Sequence, residues 1–290
     1  MGLKPSQEAR RMSLITELLM RASRAEERRI PIIGLDGNIV GEITLPKTFY
    51  APLREDLVWK IFVHLQTHTL QPKGAFKGSG HKYSVESLGA GYGMARVSRI
   101  KAHGTGKSLA GGMINSVVGG RPGHPPVPEK KIHKDVNEKE KRAALLAAIA
   151  FTADRKAVRN RGHRIPENLN LPIVVDDRIE SIARTRELRE FLEEKLGLGE
   201  ELERCKEKKI RAGKGKRRGM RYKRRVGPLI VISEDRGIEE AADNLPGVEV
   251  VKLKDLSVLH LAPGAKPGRL TIWTKSALEK LDEKMLGGLT

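Results

Sequence analysis

Apolar residues recur along this chain with two periods, and each change of period marks an element. Leu53, Leu57, Ile61 and Leu65 stand four apart, with Glu55 and Asp56 in the opening turn where they complement the helix dipole. That spacing predicts a helix over 53–70 with one buried stripe. Upstream, Leu14, Leu18 and Leu19 fall at helical spacing inside residues 4–29, whose seven Lys or Arg against four Glu make a basic amphipathic arm. Between the two, Ile32-Ile33 and Ile39-Val40 flank Asp36-Gly37, which predicts a hairpin over 31–45 because Gly tolerates the positive φ of a tight turn. Asn137 and Glu140 form a capping-box pattern ahead of the apolar run 143–151, and Gly162 follows a basic last turn ending at Arg161, so a helix is expected there.

Beyond it, β-branched runs at 172–175, 229–232, 248–251 and 270–273 alternate with helical stretches at 178–196, 238–245, near Leu256, and at 275–285. Strand and helix in alternation predict an α/β fold, a three-layer α/β/α domain whose mainly parallel sheet is covered on both faces.

Two segments fit neither period. Residues 72–131 hold 13 Gly, five Pro and ten Lys or Arg against only Glu86 and Glu129, and no apolar period is sustained there. A loop of that length inside a globular chain is usually functional or ordered by a partner. Residues 206–225 carry 12 Lys or Arg in 20 positions with Glu207 alone opposing them, a density no core can absorb. The expected organisation is a basic arm over 1–30, a globular α/β domain over 31–71 and 132–290, and an extended loop over 72–131 inserted in that domain.

Composition then narrows the function. Net charge is +19, hydrophobic content is 39% and aromatic content only 4%, which together point to a polyanion as partner and to a chain partly without a core of its own. Cys205 is the single cysteine, so an internal disulfide framework and multi-cysteine zinc sites are excluded, and the cytoplasm is the expected compartment. No run approaches the ~20 apolar residues of a membrane span, and the N-terminus lacks a signal-peptide pattern, so a soluble, non-secreted protein is expected.

Candidate chemistry is sparse. Gly104-Thr105-Gly106-Lys107-Ser108 is like the end of a phosphate-cradling nucleotide loop, but Lys101 stands where that motif needs its first Gly, and no strand-to-helix frame surrounds it. Gly89-Ala90-Gly91-Tyr92-Gly93 lacks the third spaced glycine of a dinucleotide fingerprint and reads as a hinge. His64 and His68 lie one helical turn apart without the Glu of a metalloprotease helix, and His81, His103 and His124 lack ligand spacing. Asp176-Asp177 and Glu234-Asp235 each follow a core strand, where Asp177 is expected to cap the next helix rather than act in a carboxylate pair. No catalytic residue, metal or cofactor is expected, nor a small-molecule substrate.

Phosphate contacts are the better use of the basic segments. In the loop, Lys73, Lys77, Lys82, Lys107 and Arg121 are spaced to supply countercharge while Gly allows close backbone approach to RNA. In the basic run, Lys208, Lys209, Arg211, Lys214, Lys216, Arg217, Arg218, Arg221, Lys223, Arg224 and Arg225 repel one another unless phosphates neutralise them, and Tyr222 can stack on an unpaired base.

Specific strings support that reading. The run from Ile210 through Gly213-Lys214-Gly215-Lys216-Arg217-Arg218-Gly219 to Tyr222-Lys223, leading into Gly227-Pro228-Leu229, resembles the fourth large-subunit ribosomal protein family, the universal uL4 family, in its archaeal and eukaryotic form. Leu261-Ala262-Pro263-Gly264 with Pro267-Gly268-Arg269-Leu270, Arg161-Gly162-His163-Arg164, and Gly119-Gly120-Arg121 with Pro125-Pro126 are similar to further family motifs in the same order, over about residues 40–285. The resemblance implies a non-enzymatic constituent of the large ribosomal subunit that binds large-subunit ribosomal RNA, aids assembly and touches neighbouring ribosomal proteins. It implies RNA contacts at Arg161, His163 and Arg164, and at Arg96, Arg99 and Lys101 on the approach to a loop tip. That tip, Gly91, Tyr92, Gly93, Met94, Arg96, Gly104 and Gly106, is implied to meet the nascent chain in the exit tunnel. The family usually has Arg where this chain has Tyr92, so stacking can replace a salt bridge there. An RNA-modifying enzyme and a general nucleic-acid-packing protein are the competing readings.

Overall fold

A computed structural model describes residues 28–104 and 106–286; all but the last residues of the N-terminal arm lie outside them. The chain divides into two compact units, one of residues up to Gln66 together with those from Asp135 onward, the other Thr67–Lys134.

The first unit opens on a hairpin of β1 (Arg29–Ile33) and β2 (Ile39–Thr44), closed where Gly34 N donates to Asn38 O at 2.8 Å and Gly37 takes φ of 85°. Strand β1 starts earlier than the sequence pattern suggests because Ile30 is buried and Arg29 pairs with Thr44. Helices α1 (Glu55–Gln66), α2 (Glu138–Ala153) and α3 (Arg155–Arg161) flank the second unit in sequence and lead to β3 (Ile173–Val175). Helices α4 (Thr185–Glu190) and α5 (Gly199–Lys206) precede β4 (Leu229–Ile232), α6 (Ile238–Asp243) and β5 (Glu249–Lys252). Helix α7 (Val258–Leu261), β6 (Thr271–Thr274) and α8 (Lys275–Leu286) end the described chain. The sheet runs β2-β1-β3-β6-β4-β5, and every neighbouring pair is parallel except the antiparallel β1–β2.

Successive side chains on a strand point to opposite faces, so each central strand feeds two cores. Val174, Leu229, Val231 and Trp273 pack on one face against α1, α2 and α8, while Ile173, Val175, Ile230 and Ile272 pack on the other against α4 and α6. That is the three-layer α/β arrangement. Trp273 is fully buried, donates from Nε1 to Thr271 Oγ1 at 3.1 Å, and meets Phe49 edge-on at 5.7 Å between ring centroids.

Four predicted elements change. The helix expected over 53–70 stops at Gln66 and continues as a short 3-10 turn over Thr67–Thr69, leaving Leu53 exposed outside it. The helix expected up to Arg161 is two helices, because Asp154 is extended and its carboxylate takes the Lys156 N–H at 2.9 Å, starting α3 afresh. Glu140 reaches Lys60 Nζ on α1 at 2.8 Å, while Asn137 alone accepts a backbone N–H, from Lys139. The helix expected over 178–196 breaks after a 3-10 turn at Asp177–Ser181, since continuing past Ile179 and Ile182 would bring Arg186 into the core. It resumes in α4, and a π-turn at Phe191–Lys195 adds the residue that buries Phe191, Leu192 and Leu196 together. Near Leu256 a 3-10 turn, Leu253–Asp255, precedes α7. Helix α5 has no counterpart among the predicted elements, although Leu198, Leu202 and Cys205, all buried, keep helical spacing behind Glu200 and Glu201.

Replacing Trp273 with Ala removes the largest fully buried side chain from the central strand. We expect a loss of about 3–5 kcal/mol in urea-denaturation stability, from lost burial and the cavity left behind.

Candidate nucleic-acid interface

The second unit has almost no core: among its described residues only Ile100 and Gly112 are buried. Val85–Glu86 and Arg99–Ile100 pair as a two-residue ribbon, and a Cβ at Gly112 would lie 2.8 Å from both Ile100 and Val85, so only Gly lets the chain close over that pair. Several loop cations are used locally. Arg99 donates to Leu109 O at 2.8 Å and Ala95 O at 3.3 Å, which makes it a tie holding the loop's own turns rather than an open phosphate ligand. Lys101 pairs with Glu86 at 2.6 Å and Lys77 with Glu129 at 3.3 Å. Lys107 binds Tyr83 Oη at 2.6 Å, a contact that pulls the phenol's pKa down, and lies over its ring. Gly106, Lys107, Ser108 and Leu109 form a turn, so Lys107 does not lie in a strand-to-helix nucleotide loop. Lys73, Lys82, Arg96 and Arg121 are exposed, as are Gly91, Tyr92, Gly93, Met94, Gly104 and Gly106.

In the first unit the basic run folds back on itself. Lys209–Ile210 pairs antiparallel with Tyr222–Lys223, Arg211 N donates to Arg221 O at 2.8 Å, and a 3-10 turn spans Lys214–Arg217. The strand pairing uses backbone groups, and most of the side chains stay outside. Lys208, Lys209, Lys214, Lys216, Arg217, Arg218, Lys223 and Arg224 are exposed, and Arg221 lies over the Tyr222 ring. Among the described residues of the run, only Lys206 and Arg225 meet carboxylates, Glu193 at 3.6 Å and Glu207 at 3.2 Å. Arg211 turns back to Met220 O at 3.2 Å.

At the root of this hairpin lies a cleft of about 550 Å³. Arg161 from α3, Arg204 from α5, the hairpin's Lys209, Lys223, Arg224 and Arg225, and Lys266 from the turn before β6 line it, with no carboxylate among its walls. Arg161 donates to Pro263 O at 2.7 Å and to Lys266 O. Burial, with Arg269 and Arg204 nearby, lowers its pKa to about 10. It shapes the wall and is not a free surface cation.

Beneath the cleft sits a buried triad. Glu201 Oε1 accepts from His163 Nδ1 at 2.6 Å, and Oε2 accepts from Arg204 Nε at 2.8 Å and Arg164 N at 3.0 Å. Arg204 also donates to Val226 O at 2.8 Å, tying α5 to the hairpin's return strand. Burial pushes the Glu201 carboxyl up, but the donors from His163, Arg204 and Arg164 outweigh it, and the net shift is downward. Burial holds the His163 imidazole below its ordinary pKa despite Glu201. His163 is thus a structural, neutral side chain, not the surface RNA contact expected from its motif. Arg164 is exposed beside Glu200 at 3.9 Å.

The carboxylates at the strand ends are also structural. Asp176, not Asp177, caps its own turn, accepting from Asp177 N at 2.9 Å, while Asp177 accepts from Ser276 N at 2.8 Å and so caps α8. Asp235 accepts from Gly237 N at 3.0 Å ahead of α6. His64 bonds Asp135 O in the first unit, and in the second His68 bonds Lys134 O and stacks on His133. No group of three metal-ligating side chains occurs among the described residues, and none of their helices is long and apolar enough to cross a membrane. Sequence reasoning missed Arg204 and Lys266: the first carried a signal, Glu201 three residues earlier on an amphipathic stretch, whereas Lys266 is an isolated cation in a turn.

Residues 43–284 match the model of the ribosomal protein L4/L1 family. The chain is 45% identical over 261 residues to the large ribosomal subunit protein uL4 of Saccharolobus solfataricus, covering 89% of this chain and 96% of that one. It is 45% identical over 256 residues to the protein of the same name from Saccharolobus islandicus strain M.14.25, covering 88% and 94%.

The triad makes stability depend on pH with a definite sign. His163 is depressed below its ordinary 6.5, so under pH 6.5 the unfolded chain binds a proton the folded chain refuses, and stability falls as pH drops. Glu201, depressed below 4.5, adds a further loss from about that pH downward. In His163→Gln, urea denaturation between pH 7 and 5 should show a shallower slope; His260, also held down by burial, keeps it from being flat. Glu201→Gln strands the buried Arg204 charge and should cost about 3–5 kcal/mol at neutral pH.

Proposed function

This chain belongs to the ribosomal protein L4/L1 family, and from that premise we propose that it is a structural component of the large ribosomal subunit that holds ribosomal RNA in place. Its relatives are named as ribosomal proteins, not enzymes. The observation that carries the RNA-binding reading is the hairpin of residues 206–225, whose charge is left almost wholly to solvent. Side chains that no carboxylate neutralises attract phosphates, and each phosphate bound releases condensed counterions.

The work is positional. Phosphate contacts fix register and orientation without reading sequence, so the hairpin acts as an electrostatic clamp on RNA, and within the inserted unit the exposed cations Lys73, Lys82, Arg96 and Arg121 supply countercharge to RNA phosphates. The division proposed is an α/β anchor, an inserted loop over 72–131 that enters the RNA, and a tip at residues 91–94, 96, 104 and 106 in the exit tunnel, facing the nascent chain. Exposed Tyr92 and Met94 suit such a tip, since a flat ring and a flexible thioether contact RNA or peptide without a fixed partner. Neighbouring large-subunit proteins are its expected protein partners.

Two measurements test this. Filter binding of large-subunit ribosomal RNA by Arg217→Gln/Arg218→Gln should be weaker than wild type, with the slope of log affinity against log salt reduced by roughly 0.7–0.9 for each phosphate that is no longer neutralised. An unchanged slope would leave those arginines facing only water. In a high-salt sucrose gradient of native lysate, the chain should travel stoichiometrically with the large subunit; recovery at the top of the gradient would overturn the reading.

A further inference from the structure

The cleft at the hairpin's root differs from the charge outside it. Hairpin side chains such as Lys214 and Arg217 stand in water, each free to turn and be screened. Those around the cleft converge from four places in the fold: the end of α3, α5, both strands of the hairpin, and the turn at 263–266. The triad and Arg161 hold that convergence in place. Arg204 joins α5 to Val226 at the hairpin's return, and Arg161 joins α3 to Pro263 and Lys266. The backbone that carries the cleft's lysines and Arg224 is therefore fixed at these joins, so their side chains start from converging positions before any ligand arrives.

Two further features indicate what kind of group the cleft takes. His163 lines the cleft and is buried with Nδ1 donating to Glu201, so its Nε2, which has no hydrogen-bond partner among the described residues, is an acceptor suited to a hydroxyl such as a ribose carries. Val226 and Pro263 contribute an apolar wall beside the cations. A bare ion would use only the charges. An anionic group carrying a compact, partly apolar body uses the wall as well, and a volume of about 550 Å³ admits one nucleotide unit but not a duplex.

The geometry points to a discrete seat for a single RNA phosphodiester, its phosphate held by Lys209, Lys223, Arg224 and Lys266 and its ribose against Val226 and Pro263. This rests on the RNA-binding reading above and adds to it one bounded site, distinct from the diffuse clamp of the exposed hairpin. The shared chemistry with a free oligophosphate is the phosphate itself, so the test separates the two sources.

The full chain is titrated with inorganic pyrophosphate by calorimetry at fixed chloride, as wild type, as the cleft variant Arg224→Gln/Lys266→Gln, and as Lys214→Gln/Lys216→Gln, which removes equal charge from the outer turn. All four side chains are exposed, and thermal denaturation without pyrophosphate checks that each variant folds. Wild type and the turn variant should saturate near one site per chain, and the cleft variant should bind at least about tenfold more weakly for the charge-assisted bonds removed. Equal weakening in both variants, or no saturable site in wild type, overturns the seat. The titration is repeated on the chain bound to large-subunit ribosomal RNA. Loss of the pyrophosphate site there supports an RNA phosphodiester as occupant; an unchanged site assigns the cleft to a free phosphate and overturns the RNA assignment. Ribosomal RNA binding of the wild type alone is measured alongside. Its absence would sink the RNA-binding reading itself, whereas its presence without a pyrophosphate site would sink only the seat.

Discussion

A buried carboxylate, Glu201, is the interaction on which the basic face of this protein depends. It is withdrawn from water, yet it stays ionised because His163, Arg204 and the Arg164 amide donate to it. Through those three donors it fixes the chain after α3 to α5, and through Arg204 it reaches the carbonyl where the hairpin returns to the sheet. Breaking such a pair by removing one partner is far costlier than never having made it, because the remaining charge is left buried and unpaired. The triad therefore acts less as a source of net stability than as a constraint on where a dozen cations can stand.

That constraint explains how so basic a protein keeps an ordinary α/β core. The sheet's central strands are buried on both faces and carry no charge, while Arg269, the buried arginine next to them, is spent on Gly227 O at 2.9 Å, His260 O at 2.8 Å and Glu249 at 2.6 Å. Charges that find carboxylates or carbonyls serve the fold, as Arg161, Arg204 and Arg269 do. Among the described residues, most cations of the hairpin find none, as do Lys73, Lys82, Arg96 and Arg121 in the inserted unit and Lys266 at the cleft rim, and all of these stand where a polyanion can reach them. Function and folding thus draw on the same residue types and are separated by whether an acceptor is available inside the chain.

The inserted unit follows a different logic. With one buried apolar side chain, its described part is held by turns, a two-residue ribbon and local side-chain ties such as Arg99 to Leu109 O and Lys107 to Tyr83. Hydrophobic burial contributes little there, so the glycines that let backbone segments approach one another carry much of its shape. Gly80 is a case in point: a Cβ on it would lie 2.3 Å from the Arg121 amide nitrogen.

Period and composition alone determined the α/β class, the strands at 172–175, 229–232, 248–251 and 270–273 to within a residue, and the two segments whose charge no core could hold. These follow from local rules, since side-chain alternation and the cost of burying unpaired charge do not depend on distant residues. Tertiary structure decided which basic residues are free. Arg161, His163 and Arg164 stand in one short motif, yet the first closes on carbonyls about a hundred residues away, the second is sealed against Glu201, and only the third remains exposed. Asp176 and Asp177 are likewise adjacent in sequence, but one caps its own turn and the other caps a helix from the far end of the chain. A polar side chain's role is set by the acceptor or donor that the fold brings to it, and those partners come from parts of the chain that no local pattern encodes.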